Sequence, residues 1–182
     1  LRWNLERFAK ALQPLCTQSA LTYDELEDKL DEFEDRFDAH YYTMMRKKLG
    51  INSDGEDELV DDFLEWLRKS NADYTNTFLE LETPGTFDDP VFVTTEFEQL
   101  QNKLNAVGLN EELMQEANPR YIPHNYLVEE ALGAYLETGD LSKFKRLLTV
   151  LETPYTSKDV GSQFQQPPSR EFDAEYTTYC NT

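Results

Sequence analysis

The sequence predicts an all-α protein: an irregular bundle of about seven or eight helices, followed by an extended C-terminal tail. Three observations lead to this prediction. Apolar residues recur at spacings of three and four in one segment after another. Most of these segments end at a glycine or a proline, and several begin at a capping residue. No alternation of apolar and polar residues is long enough to predict a strand.

The first predicted helix covers Trp3 to Cys16, and Pro14 stands near its end. Its apolar stripe consists of Trp3, Phe8, Leu12 and either Leu15 or Cys16, with Leu5 beside it. A tryptophan in a core needs neighbours on several sides, so we expect Trp3 to pack against residues that precede this stretch. The first residue is Leu1 rather than Met, which favours the same expectation of a piece of a longer chain.

The second predicted helix is the longest and runs from Tyr23 to Leu49. Thr22 and Glu25 have the spacing of a capping box, and Gly50 is typical of a helix end. Its other faces carry many acids: Asp24, Glu25, Glu27, Asp28, Asp31, Glu32, Glu34, Asp35 and Asp38. Acids near a helix N-terminus complement the helix dipole, so we interpret this face as solvated rather than as a metal site.

Two shorter helices follow. Residues 52–58 predict a turn that leads into a helix with an inward stripe of Leu59, Val60, Phe63, Leu64 and Leu67. The next helix spans Asp73 to Leu81. An acidic loop with two prolines, near residues 83–94, is predicted to separate two helical parts of the chain.

A fifth helix is predicted from Glu96 to Val107, with Thr95 and Glu98 as a second capping box and Gly108 after its end. Another short helix covers Glu111 to Ala117.

The segment from Asn118 to Tyr155 predicts two helices joined by Thr138, Gly139 and Asp140. The first carries Tyr126, Leu127, Ala131, Ala134 and Tyr135 on one face, and the second carries Leu141, Phe144, Leu147, Leu148 and Leu151. Gly139 suits the left-handed end of one helix, and Asp140 suits the cap of the next. So short a connection predicts an antiparallel hairpin.

Residues 156–182 contain prolines and glycine among polar residues, so we predict an extended tail after a helical region at residues 1–155. Aromatic side chains are expected to pin parts of it to the surface: Phe164, Phe172, Tyr176 and Tyr179.

The formal net charge is −19, from 36 acidic and 17 basic residues. Such a field repels phosphate backbones and anionic lipid, which argues against nucleic-acid or membrane partners. No apolar run approaches the roughly 20 residues that a transmembrane helix needs.

Two cysteines, Cys16 and Cys180, make no disulfide framework and indicate a reducing compartment. Cys180 is the one reactive candidate, because a thiol on an exposed tail exchanges disulfides if its pKa is lowered. The alternative is an incidental cysteine.

The sequence contains no recognisable catalytic or metal-binding motif. The only histidines are His40 and His124, and no metal spacing, nucleophile elbow or glycine-rich phosphate loop is present. The residues by themselves therefore favour a free-standing, acidic helical interaction module without catalysis.

Several segments resemble, in the same order, the C-terminal region of the selenoprotein O family of protein adenylyltransferases. They are RWNLERFAKAL, YYTMMRKKLGI, NADYTNTFLEL, NPRYIPHNYLVEEAL and TGDLSKFKRLLTVLETPY, followed by Pro167-Pro168 and a cysteine close to the end. Two departures stand out. His124 occupies the place of the family's Arg, and Asn181-Thr182 follows Cys180 in place of the family's Cys-Ser ending.

The resemblance implies a parent enzyme with a pseudokinase-like domain that binds ATP with Mg or Mn and transfers AMP to Ser, Thr or Tyr of protein substrates. It places the catalytic, cofactor-binding and metal-binding residues upstream, with none in this stretch. The helical region would then pack against that upstream domain, and Cys180 would be the redox candidate. A mitochondrial location is implied for a eukaryotic protein, a cytoplasmic one for a bacterial protein, and secretion for neither.

Overall fold

The computed structural model describes residues 2–16, 22–156 and 162–177. These residues form ten α-helices and two short 3-10 helices, and no strand occurs among them. The prediction of an all-α fold is confirmed. The chain divides into two compact units, Leu1–Met45 and Arg46–Thr182. The loop near residues 83–94 lies within the second unit.

The helices have the following bounds: α1 Arg2–Cys16, α2 Tyr23–Asp31, α3 Phe33–Lys48, α4 Asp57–Ser70, α5 Tyr74–Glu82, α6 Thr95–Val107, α7 Glu111–Ala117, α8 Asn125–Thr138, α9 Ser142–Leu151 and α10 Arg170–Glu175. The 3-10 helices are Pro90–Val93 and Ser162–Phe164. None of the described helices is long and apolar enough to cross a membrane.

The predicted helix from Tyr23 to Leu49 is divided in the structure between α2 and α3, at Glu32. Its beginning is as predicted, because the Glu25 N–H donates to Thr22 Oγ1 at 3.3 Å and the Thr22 N–H donates to the Glu25 carboxylate at 2.7 Å. The division is slight, because Glu32 has φ −72° and ψ −10° and its N–H donates to the Asp28 carbonyl at 3.3 Å.

The apolar stripe predicted for α1 is only partly buried. Ala9 is 5% exposed, whereas Trp3, Phe8 and Leu15 are 60–63% exposed. The guanidinium of Arg7 lies 5.2 Å from the centre of the Trp3 ring. The described residues therefore leave the Trp3 side of this helix largely uncovered, and its packing against preceding residues stays a prediction.

The core of the second unit lies among α4, α5, α6 and α7. Its largest fully buried side chains include Phe63, Phe78, Phe97, Leu104 and Met114. The rings of Phe63 and Phe78 are 5.0 Å apart, and the ring of Trp66 lies 4.9 Å from that of Phe97. Large side chains from four helices thus close a core at this end of the unit.

Gly50 ends α3 where only a glycine fits. Its φ is +74°, in the region that L side chains rarely adopt. A Cβ at this position would stand 2.7 Å from Cγ of Met114 and 2.9 Å from the carbonyl oxygen of Asn110. The Asn110 N–H also donates to the Gly50 carbonyl at 2.8 Å, which joins the end of α3 to the start of α7.

Two further predictions need correction. The cap of α6 is Thr94 rather than Thr95, because the Thr94 hydroxyl is the group that accepts from the Phe97 N–H, at 3.3 Å. The tail is not extended throughout, since it contains the 3-10 turn and α10. Ser169 starts α10 by accepting from the Phe172 N–H at 3.1 Å.

Candidate functional site

The segment before α8 is fixed by hydrogen bonds to its surroundings. The Asn118 side-chain amide donates to the Lys48 carbonyl at 2.7 Å, at the end of α3. The backbone N–H groups of Arg120 and Tyr121 both donate to the Pro154 carbonyl, at 2.7 and 3.3 Å. Because Pro154 follows α9, these bonds tie the entry and the exit of the hairpin together.

A buried ion pair holds the same segment against α5. The Arg120 guanidinium donates to the Glu82 carboxylate, and the two side chains are 19% and 2% exposed. Breaking a buried pair by removing one partner leaves an uncompensated charge, so this contact fixes the position of the segment. The sequence analysis missed the pair, because its two residues lie 38 positions apart in the chain.

The turn of the hairpin matches the prediction at Gly139, whereas the residue that caps α9 is Leu141 rather than the predicted Asp140. Gly139 has φ +74°, and Asp140 accepts from the N–H and the hydroxyl of Ser142, both at 2.8 Å. These bonds from Ser142 lower the pKa of the Asp140 carboxyl, with a smaller contribution from Lys143. An ion pair between Lys143 and Glu130 also joins α9 to α8.

Tail residues are bound to the hairpin. Phe164 is buried in a cluster with Tyr121, Leu147 and Val150. The Tyr126 hydroxyl donates to the carbonyl groups of residues 163 and 166 at 3.2 and 3.0 Å. The prediction that Phe164 pins the tail is confirmed.

Two more predicted anchors continue this arrangement along α8. The ring of Phe172 lies 6.1 Å from that of Tyr126, and the ring of Tyr176 stacks on Phe172 at 4.8 Å. The Tyr176 hydroxyl donates to Glu129 at 3.1 Å, which raises the pKa of Tyr176. Tyr179 and Cys180 lie outside the described residues.

Between the hairpin and the tail is a cavity of about 340 Å³. Its lining is mixed: aromatic Tyr126 and Phe164, acidic Glu130, and basic Lys143 and Arg146. The Arg146 guanidinium lies 5.4 Å from the centre of the Phe164 ring. Because Lys143 is paired with Glu130, much of the local charge is already balanced.

The two histidines lie in different units. His40 is exposed on α3. His124 is the residue before α8; its carbonyl accepts from the N–H groups of Leu127 and Val128 at 3.0 and 3.2 Å, and its ring lies 5.9 Å from that of Tyr126. Among the described residues, no three His, Cys, Asp or Glu side chains are grouped so that they could hold a metal ion.

The architecture identifies an all-α protein with a fixed helical hairpin, to which part of the tail is bound. Comparison with known proteins supplies the family. The family model described as protein adenylyltransferase SelO matches residues 1–152. This chain belongs to the SelO family, as the resemblance of its segments indicated.

Curated relatives agree with the family assignment. The chain is 36% identical over 191 residues to the protein nucleotidyltransferase YdiU of Alkaliphilus metalliredigens, covering 99% of this chain and 39% of that protein. It is 37% identical over 192 residues to the YdiU protein of Clostridium beijerinckii, with the same two coverages. The YdiU protein of Nitrosococcus oceani is 33% identical over 192 residues, covering 100% of this chain and 39% of the relative. The chain therefore spans about two-fifths of the length of these relatives.

Proposed function

We propose that the protein to which this chain belongs transfers AMP from ATP to Ser, Thr or Tyr hydroxyl groups of other proteins. The observation that carries the proposal is the match of the SelO adenylyltransferase family model to residues 1–152. Relatives named as protein nucleotidyltransferases support it, since they align with essentially the whole chain at 33–37% identity.

The groups that bind ATP and its divalent metal, Mg or Mn, are proposed to lie in a kinase-like domain upstream of this stretch. Among the described residues, no three His, Cys, Asp or Glu side chains are grouped so that they could hold a metal ion. Lys143 and Arg146 are the basic groups of the one cavity considered above, and Lys143 is paired with Glu130.

The helical region is proposed to serve as a scaffold that packs against the kinase-like domain and presents the tail. The buried pair of Arg120 and Glu82 and the bonds to the Pro154 carbonyl support a rigid frame, because each fixes backbone that carries the hairpin. The exposed rings of Trp3 and Phe8 support a partner surface outside this stretch.

Cys180 is proposed as a redox-sensitive residue at the end of that tail, with an incidental cysteine as the alternative. The tail is anchored as far as Tyr176, which stands four residues before Cys180. For a protein of bacterial origin, like the named relatives, we propose a cytoplasmic location; a eukaryotic one would be mitochondrial.

The test is the transfer of labelled nucleotide by the full-length protein. ATP labelled on the α-phosphate and ATP labelled on the γ-phosphate are supplied in parallel with Mg²⁺ or Mn²⁺ and candidate protein substrates. AMP transfer places only the α-label on protein, and we expect that result. Transfer of the γ-label would identify a kinase instead and would overturn the proposal. The 182-residue chain alone is expected to transfer neither label.

A second candidate, the acidic interaction module, is favoured by the net charge of −19 and by the acidic faces of α2 and α3. It predicts salt-sensitive binding of a basic protein and no transfer of either label by the full-length protein. Label transfer therefore discriminates the two candidates.

A further inference from the structure

The hairpin of α8 and α9 has an apolar face that the described residues leave uncovered. A groove of about 150 Å³ runs between the two helices, and its lining is entirely apolar. Among its lining residues are Val128, Ala131, Leu132, Phe144, Leu148 and Leu151. We call this surface the hairpin groove.

On each helix of the hairpin, some apolar side chains are buried and others are about half exposed or more. On α8, Ala131 is 2% exposed, whereas Leu132 and Leu136 are 46% and 82% exposed. On α9, Val150 is 1% exposed, whereas Leu148 is 47% exposed. The apolar stripe is therefore wider than the contact with the rest of the unit requires.

Other large side chains extend the uncovered face. Tyr135, Leu141 and Phe144 are 49%, 41% and 44% exposed. Single exposed apolar residues are ordinary, but a contiguous set that rims an apolar groove is typical of an interaction surface.

We propose that another part of the same polypeptide, the kinase-like domain outside this stretch, lies in the hairpin groove. This inference rests on the proposed function, which places that domain in the protein. The matched relatives support it, because this chain covers 39% of their length and about three-fifths of each lies outside the match.

The chemistry of the groove favours an occupant that is always present. No charged side chain lines the groove, so an occupant would bind it through apolar contacts. An apolar surface that stays exposed to solvent promotes aggregation. A second copy is a poorer occupant, because two chains that each carry a net charge of −19 repel one another.

The test compares the reactivity of two introduced thiols in the full-length protein. Leu148→Cys lies in the groove, and Val93→Cys, at a position 86% exposed and outside the hairpin, is the matched control. N-ethylmaleimide labelling is followed by peptide mass spectrometry, which separates these thiols from Cys16 and Cys180. We expect the thiol at position 148 to react at least about tenfold more slowly than the control.

Equal labelling rates would overturn the inference. Slow labelling that disappears on dilution, together with dissociation of a dimer in light scattering, would assign the groove to a second copy and overturn it as well. If Leu148→Cys does not fold by circular dichroism, Phe144→Cys repeats the comparison. Labelling does not depend on enzymatic activity, so the two proposals are tested separately. Slow labelling at position 148 without AMP transfer would reject the proposed function alone. AMP transfer with equal labelling rates would reject the docking alone.

Discussion

The core of α4 to α7 and the hairpin of α8 and α9 have the same helical periodicity of apolar residues, but they differ in how much of the apolar stripe is buried. In the core, Phe63, Phe78 and Phe97 are each at most 1% exposed. In the hairpin, Phe144 and Leu148 belong to an equally regular stripe and remain 44% and 47% exposed. A stripe in a sequence therefore predicts that a face will be buried, without indicating which partner buries it.

The difference has an energetic meaning. Burying one large apolar side chain stabilises a protein by about 1.5–3 kcal/mol relative to leaving it exposed. The core gains this contribution from its own residues. Among the described residues, the hairpin gains this stabilisation on the side that carries Leu147 and Val150. Among the described residues, the large side chains of the core are buried, whereas Phe144 and Leu148 of the hairpin stay about half exposed.

The largest effect is expected from a change in the core. Phe78→Ala removes a ring that is 1% exposed and lies 5.0 Å from the rings of both Phe63 and Tyr74. We expect a loss of about 3–5 kcal/mol in the free energy of unfolding of this region, because a cavity remains. Native-state hydrogen exchange at α4 and α5 measures the loss. Val93→Ala is the control, and a cost for Phe78→Ala as small as that of the control would contradict a closed core.

The next effect is expected at the base of the hairpin. Arg120→Met leaves the buried Glu82 carboxylate without its ionic partner, and we expect a cost of about 3 kcal/mol in urea unfolding. Lys103→Met is the matched control. It breaks the pair with Asp62, whose two side chains are 59% and 54% exposed, so its cost should stay within about 1 kcal/mol. Equal costs for the two variants would show that the burial of the Arg120 pair is immaterial.

A smaller effect is expected where the tail meets the hairpin. Phe164→Ala removes the buried anchor of the tail, and we expect the free energy of local opening to fall by about 2 kcal/mol. Faster hydrogen exchange at α10, with unchanged exchange in α4, would confirm this. Exchange at α10 that stays as slow as in the unsubstituted protein would mean that the other contacts hold the tail without Phe164.

The smallest effect concerns the turn of the hairpin and depends on pH. The pKa of Asp140 is lowered in the folded state from its ordinary value of 3.8, mainly by the bonds from Ser142. Its contribution to stability is therefore present above that ordinary value and is lost as the pH falls through the lower folded value. We expect hydrogen exchange at the start of α9, measured relative to the intrinsic exchange rate at each pH, to accelerate below about pH 4.

Asp140→Asn supplies the control for this pH effect, because the amide keeps an acceptor oxygen but does not titrate. Its exchange at α9 should lack the acceleration. The same acceleration in both proteins would assign the pH effect to another group.

Sequence patterns predicted the features that depend on local chemistry. The capping box of Thr22 and Glu25, the left-handed Gly139 and the anchoring by Phe164 all follow from neighbouring residues or from aromatic content, and the structure confirms each one. The family could also be predicted, because ordered segments of the chain resemble it.

Features that depend on distant residues were not predictable in the same way. The pair of Arg120 and Glu82 joins residues 38 positions apart, which no local pattern indicates. The division at Glu32 falls within an otherwise continuous stripe, where Glu32 also forms ion pairs with Lys29 and Arg36, so no local pattern indicates it. Periodicity places Leu141, Phe144 and Leu148 on one face of a helix, but it does not indicate that they are 41–47% exposed among the described residues.

One pair of variants tests most directly whether the hairpin face is buried in the intact protein. Leu104 is fully buried in the core and Leu148 is 47% exposed in this stretch, so Leu104→Ala and Leu148→Ala delete the same group at the two sites. Native-state hydrogen exchange of α6 and α9 in the full-length protein gives the cost of each. We expect both to lose about 2–5 kcal/mol in the free energy of opening. A cost for Leu148→Ala within about 0.5 kcal/mol of zero, the usual range for a surface residue, would contradict burial of the hairpin groove.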